Sequence, residues 1–295
     1  MSRLAACLGT LAAAAAALAT SAFAAALAIV IFPAAPAAAW ERVQAPPPKP
    51  EMAQSCPGLV AARPRPVPAA LRVALEPDQV RLTYIGHSTF LIESPQLVRI
   101  ATDYNGYVVP PVLPDIVTMN HAHSTHFTDH PDPRIPHVLR GWGPSPSEPA
   151  RHDLTVKDVH VRNVPTNIRD WRDGGTERHG NSIFIFEIAN LCIAHLGHLH
   201  HTLTQQQLDE IGRVDVVLVP VDGNMTLDLD GMIEVLTALK APLMTPMHFF
   251  SSFTLNRFLE RARESWTVET AEIPSMVVSK ATLPVAPKVV VLPGH

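Results

Sequence analysis

The chain has 295 residues, a formal net charge of −4 and 15 histidines. With 47% hydrophobic residues it can bury a sizeable core, and its length allows one large domain or two small ones. No block of like charge stands out and acidic residues outnumber basic ones, which excludes a basic surface for nucleic acid.

Residues 1–39 carry one charged side chain, Arg3, followed by an apolar run to Phe32, then Pro33, Pro36 and Ala37-Ala38-Ala39 before Trp40. A positive start, an apolar stretch and a small-residue end describe a secretory signal, expected to be cut after Ala39. The run exceeds most signal cores in length, so a retained membrane anchor is the alternative, and membrane contact is expected only in that case. Export to a bacterial periplasm or beyond the cell is the expected localisation. Leu4-Ala5-Ala6-Cys7 looks like a lipobox but precedes the apolar run, so it reads as chance. Residues 40–79 are rich in proline, including Pro46-Pro47-Pro48, and read as a stiff spacer. Cys192 sits in the apolar run Leu191-Cys192-Ile193-Ala194 and reads as core, while a Cys56–Cys192 disulfide stays open.

Residues 80–295 read as one domain. Val80–Ile85, Thr89–Glu93, Leu97–Thr102 and Asp115–Met119 are predicted strands, as is the alternating stretch Thr155–Val164. Ser182–Ile188 and Leu191–Ala194 form a predicted hairpin about Ala189-Asn190. Helices are predicted over Thr204–Ile211, Asp228–Lys240 and Leu255–Arg263, separated by strands Val214–Pro220 and Leu243–Met247. Trp266–Glu269 and Met276–Ser279 follow, then a proline-containing tail.

Eight histidines fall in two windows, 121–130 and 195–201. Asn120-His121-Ala122-His123-Ser124-Thr125-His126 sets three imidazoles on one loop after a strand, a donor set that suits Zn²⁺ or a similar metal. This loop resembles the His-x-His-x-Asp-His metal loop of the metallo-β-lactamase superfamily, with Thr125 where that family has Asp. Tyr84-Ile85-Gly86-His87-Ser88-Thr89-Phe90 resembles the opening hairpin of the branch that includes ascorbate-phosphate lactonases and N-acyl-phosphatidylethanolamine phospholipase D. Thr102-Asp103, His195-Leu196-Gly197-His198 and Pro246-Met247-His248 resemble further motifs of that branch in the same order.

The resemblance implies an α+β fold, the αββα metallo-β-lactamase-like sandwich. It implies metal ligands among His121, His123, His126, His198 and His248, with Asp103 and His195 behind them. His87, His200 and His201 are the candidates for acid–base or substrate contact. His198 stands where the family has its bridging Asp, and Asn167 near where it has a further His. Neutral imidazoles do not offset the repulsion of two cations about 4 Å apart, several kcal/mol even in a polar site, so one zinc or similar ion is expected. The implied function is hydrolysis of a small-molecule ester, lactone, amide or phosphodiester by a metal-activated water. The alternative is an exported metal-binding or sensing protein of the same fold. Asp222, in Val221-Asp222-Gly223-Asn224, follows a strand where sites form, but the Asp-Gly pair favours a turn role. His130, His137, His152, His160, His179 and His295 read as surface or structural.

Overall fold

The computed structural model describes residues 74–145, 147–170 and 174–294. The leader, the spacer up to residue 73 and Cys56 lie outside the described residues, and with them the cleavage and disulfide expectations. Among the described residues no helix is long and apolar enough to cross a membrane.

The strand-rich half supplies β1 (Gln79–Gly86), β2 (Thr89–Glu93), β3 (Arg99–Ala101), β4 (Ile116–Met119) and β5 (His137–Arg140). It continues with β6 (Asp153–Val156), β7 (Val159–Arg169), β8 (Thr176–Ile188) and β9 (Leu191–His195). Then α1 (Gln205–Ile211), β10 (Val216–Pro220), α2 (Leu229–Leu239), β11 (Leu243–Met247) and α3 (Ser252–Ala262) alternate. β12 (Thr267–Thr270), β13 (Ser275–Ser279), a 3₁₀ turn and β14 (Lys288–Val291) close the chain.

One sheet has the order β13-β1-β2-β3-β4-β5, and the other β12-β14-β11-β10-β9-β8-β7-β6. Strand alternation divides the apolar residues between two cores. Val216 and Leu218 of β10 enter the core between the sheets, with Leu82, Phe90 and Ile92 from the first sheet and Phe184 and Phe186 from the second. Val217 and Val219 point the other way, onto Met232, Val235 and Leu236 of α2 and Phe258 of α3. β10 is thus buried on both faces, which is why it reads as an unbroken apolar run. The outer face of the first sheet carries a smaller cluster in which Phe127 and Trp142 pack near Val117 and Met119. The result is an α+β sandwich of two sheets.

The helix ends follow from the sequence. Thr204 and Gln207 form a reciprocal capping box on α1, Asp228 caps α2, and Ser251 caps α3. The predicted strand Thr155–Val164 is instead a hairpin. Lys157 takes a left-handed φ of 51°, so the chain reverses there and β6 pairs antiparallel with β7. β5 and β14 lie in stretches where no strand is predicted. Cys192 faces outward on β9, half-buried, with Arg213 Nη2 3.2 Å from its sulfur.

Topology assembles the site. β9 and β11 each pair parallel with β10, so the segments after the three strands, 196–201, 221–222 and 248, leave the sheet at one edge. Loops beyond the carboxyl ends of parallel strands are where such sheets build sites. The β1–β2 turn joins that edge directly, because the His248 amide donates to the His87 carbonyl at 2.7 Å.

Candidate metal centre

Two buried carboxylates prepare two histidines. Asp103 is fully buried, and its Oδ2 accepts from His126 Nδ1 at 2.9 Å while its Oδ1 accepts from Asn120 Nδ2 at 2.7 Å. Burial works to raise the Asp103 pKa, but the hydrogen bonds and charge of the His126 side overcome it and hold the carboxyl below its usual value. Asp222 Oδ1 accepts from His248 Nδ1 at 3.0 Å. The same carboxylate collects the amides of Asn224, Met225 and Thr226. Burial opposes its ionisation too, yet the bonds from His248 and Thr226 keep it well below the normal range. In both histidines the Nδ1–H is taken, so the tautomer is set and Nε2 presents its lone pair.

Those rings face each other. His126 and His248 stack with centroids 5.1 Å apart, and His87 lies 4.7 and 4.6 Å from them. One ring nitrogen from each of His87, His126 and His248 lies within 4.8 Å of the others. His198 closes another side, its ring edge-on to His126 at 4.6 Å, to His248 at 4.8 Å and to His123 at 4.8 Å. His126 Nε2, His198 Nε2 and His87 Nδ1 are buried and make no hydrogen bond among the described residues. Buried ring nitrogens without partners are costly unless something meets them, and those of His87, His126 and His248 lie close enough together for one cation to do so. A divalent cation fits the donors of His87, His126 and His248: three imidazoles, with carboxylates behind two of them.

Burial disfavours the charged form of four of these histidines. The His87 pKa is pushed down to about 3, by burial first and then by His126 and His248. His198 is driven well below the normal value by burial and by the surrounding histidines. His123 and His126 are lowered for the same leading reason. The backbone is strained here as well: His87, Asp103 and His248 have φ of 51°, 45° and 53°. Left-handed backbone at non-glycine residues concentrates where a site demands it.

The structure brings together His87, His123, His126, His198 and His248. It does not bring His121 to them. The His121 amide donates to the Gly180 carbonyl, and its exposed ring leans on Trp142 and Phe127 while Nδ1 meets Glu177 Oε1 at 3.1 Å. With a carboxylate and two aromatic rings drawing it outward, His121 lines a separate cavity of about 320 Å³ with Trp142 and Glu177. His195 is wholly buried. Its Nδ1 accepts the Gly197 amide, so its Nε2–H donates to the Ser88 carbonyl, at 2.9 Å, and pins β9 to the β1–β2 turn. His200 has no nitrogen left for acid–base work, since both are hydrogen-bonded at 2.6 and 2.5 Å. His201 lies 6.4 Å from His200 with a buried Nε2 that makes no hydrogen bond among the described residues.

Two contributors, Asn120 and Arg169, escape sequence reasoning, and the sequence reads Asp222 chiefly as a turn residue. Asp222 makes the expected turn and in addition holds His248. Asn120 bridges Asp103 to the Ser182 amide. Arg169 grips the loop after β10 through the carbonyls of Asn224, Met225 and Thr226. The signal for Asp222 was its place after a parallel strand.

A family model described as the beta-lactamase superfamily domain matches residues 81–248, from β1 to the last cluster histidine. The chain belongs to the beta-lactamase superfamily. Within this superfamily it is 25% identical over 203 residues to a UPF0173 metal-dependent hydrolase of Methanoculleus marisnigri, a match covering 63% of this chain and 88% of that protein. A second relative so named, from Thermoplasma volcanium, is 25% identical over 197 residues, covering 58% of this chain and 83% of the relative. Among solved structures it is similar to a candidate Zn-dependent hydrolase of the metallo-β-lactamase superfamily from Thermotoga maritima. That likeness has 27% identity and a TM-score of 0.54, over 73% of this chain and 100% of the other.

Proposed function

We propose that the protein is a metal-dependent hydrolase of a small-molecule substrate, with its metal held by His87, His126 and His248. The observation that carries this reading is the pair of buried carboxylate–histidine contacts, Asp103–His126 and Asp222–His248, which turn two Nε2 lone pairs toward one point beside His87. The relatives' description as metal-dependent hydrolases supports it. A bound cation of the zinc type supplies acidification of water and polarisation of a substrate oxygen.

The chain's own residues do the rest. Asp103 and Asp222 keep the two imidazoles oriented and raise their basicity. Burial lowers the pKa of His87 and His126, which keeps those two donors neutral and available to a cation at ordinary pH. Phe250, 60% exposed, sets an apolar ring at the rim of the cluster, 5.0 Å from His248 and 6.0 Å from His87. One ion per chain follows from the ligand charges, because the family's bridging carboxylate position holds His198 and its second-site Asp position holds Thr125. We propose zinc as that ion, and an exported enzyme whose amino terminus is Trp40.

Elemental analysis of protein purified without chelator or histidine tag tests the reading, together with turnover of a panel of esters, lactones and phosphodiesters. About one ion per chain, and hydrolysis abolished by a chelator and by His248→Ala, is the expected result. Protein that binds no divalent metal under any loading condition would overturn it.

A further inference from the structure

His198 lies edge-on against His123, His126 and His248, yet its hydrogen bonds prepare it for the opposite role to His126 and His248. The backbone amide of Arg169 lies 2.6 Å from His200 Nδ1. An amide N–H only donates, so His200 Nδ1 is an acceptor and carries no proton. His200 therefore has its proton on Nε2. That nitrogen sits 2.5 Å from His198 Nδ1, which must accept. The reverse arrangement, His198 donating, would leave His200 without a proton on either nitrogen. The single proton of His198 thus resides on Nε2, the atom that is buried against the cluster without a hydrogen bond among the described residues. A protonated Nε2 offers no lone pair to a cation.

The contrast lies in what stands behind each ring. Carboxylates behind His126 and His248 accept the Nδ1–H and expose a lone pair. An imidazole that is itself forced to donate stands behind His198 and exposes an N–H. The His198 backbone amide donates to Asn181 Oδ1 at 2.7 Å, and both rings are buried, His198 at 0% and His200 at 2% exposure.

We propose that His200 is a positioning residue that locks His198 as a neutral Nε2–H donor, so that His198 is not a metal ligand and instead binds an anionic substrate oxygen, carboxylate or phosphate, beside the His87, His126 and His248 site. Where the superfamily places an acidic acceptor, this chain presents a donor. The assignment of the oxygen rests on the hydrolase reading; the tautomer does not.

The test is nuclear magnetic resonance of histidine-¹⁵N-labelled full-length protein, recording long-range couplings that separate protonated from unprotonated ring nitrogens. In metal-free protein His198 and His200 are both expected as Nε2–H with bare Nδ1. A proton on His198 Nδ1 would overturn the proposal. In zinc-loaded protein the His198 Nε2–H should persist, and its loss with a coordinated nitrogen signature would equally overturn it. His200→Gln, which can accept from Arg169 and donate to His198, should keep the His198 tautomer, whereas His200→Ala should release it. Zinc affinity should fall less than about tenfold in His198→Ala and more than about a hundredfold in His248→Ala. Inorganic phosphate should bind zinc-loaded wild type about tenfold more tightly than His198→Ala, as expected for one charge-assisted bond, and equal affinity would exclude the donor role. Failure to bind zinc at all would overturn the metal reading, while the metal-free spectrum still decides the tautomer.

Discussion

Ligand identity is decided by what stands behind each imidazole, not by the histidine itself. Asp222→Asn keeps the shape but replaces a charged acceptor of the His248 proton with a neutral group, and tolerates the wrong tautomer. Metal affinity should drop about 10–100-fold with little change in fold, measured by competition with a chromophoric chelator. Unchanged affinity would mean that His248 needs no orienting. His121 gives the complementary case. The spacing His-x-His makes it a ligand candidate from sequence, yet its ring is 3.1 Å from Glu177 and outside the cluster. His121→Ala should therefore keep its metal content, by elemental analysis, where His126→Ala loses it; loss in both would return His121 to the ligand set. Spacing tells which residues share a loop. It does not tell which way a side chain leaves that loop, and that depends on Trp142 and Glu177, far along the chain.

At the scale of the element, the strands that were legible are those with clear punctuation. Ala189 and Asn190 both take positive φ, 50° and 62°, and the hairpin predicted about them is the one formed by β8 and β9. The turn at Lys157 and Asp158 carries no glycine, asparagine or proline, so the β6–β7 reversal was hidden inside an alternating run. β14 was hidden by a flanking proline-containing tail, and its strand character comes from pairing with β11 and β12. The loop after β9 shows the same dependence on distant partners. Gly197 has φ of 60°, and a Cβ there would lie 2.4 Å from Asn181 Oδ1 and 2.5 Å from Asn120 Nδ2. Those amides hold His198 and Asp103. Gly197→Ala should cost about 2 kcal/mol or more and weaken metal binding, because the obstructing atoms belong to a buried network. Gly212→Ala is the control: its φ is 71° but a Cβ meets nothing within 4 Å, so only the backbone penalty of about 1–2 kcal/mol applies and metal binding should not move. Chemical denaturation with parallel metal titration separates the two; equal effects would show that backbone conformation alone matters.

For the whole molecule, burying so many imidazoles at one sheet edge makes stability depend on pH. Desolvation lowers the pKa of His87 and His200 to about 3 and also depresses His123, His126, His195 and His198. The unfolded chain has ordinary histidines near 6.5. Between those values the unfolded chain binds more protons than the folded protein, so stability falls as pH falls. It is fully present above about 6.5 and is lost progressively toward 3. Asp103 and Asp222, with depressed pKa values, add a loss of the same sign, but only below the ordinary carboxylate range near 4. His160, raised first by its bond to Asp153, works in the opposite direction at the exposed surface, where solvent weakens it. Below pH 5.5 even one buried histidine that stays neutral in the fold contributes about 1.4 kcal/mol per pH unit, or about 3–6 °C in Tm for a domain of this size. Metal-free protein should therefore melt at least about 3 °C lower at pH 4.5 than at pH 5.5. Metal-loaded protein should show a steeper fall, since protons and cation compete for the same nitrogens. Differential scanning calorimetry of both forms across this range is the measurement. A metal-free Tm that is flat or rises on acidification would mean that the cluster is already protonated in the fold, and the neutral donor set required for cation binding would be lost with it.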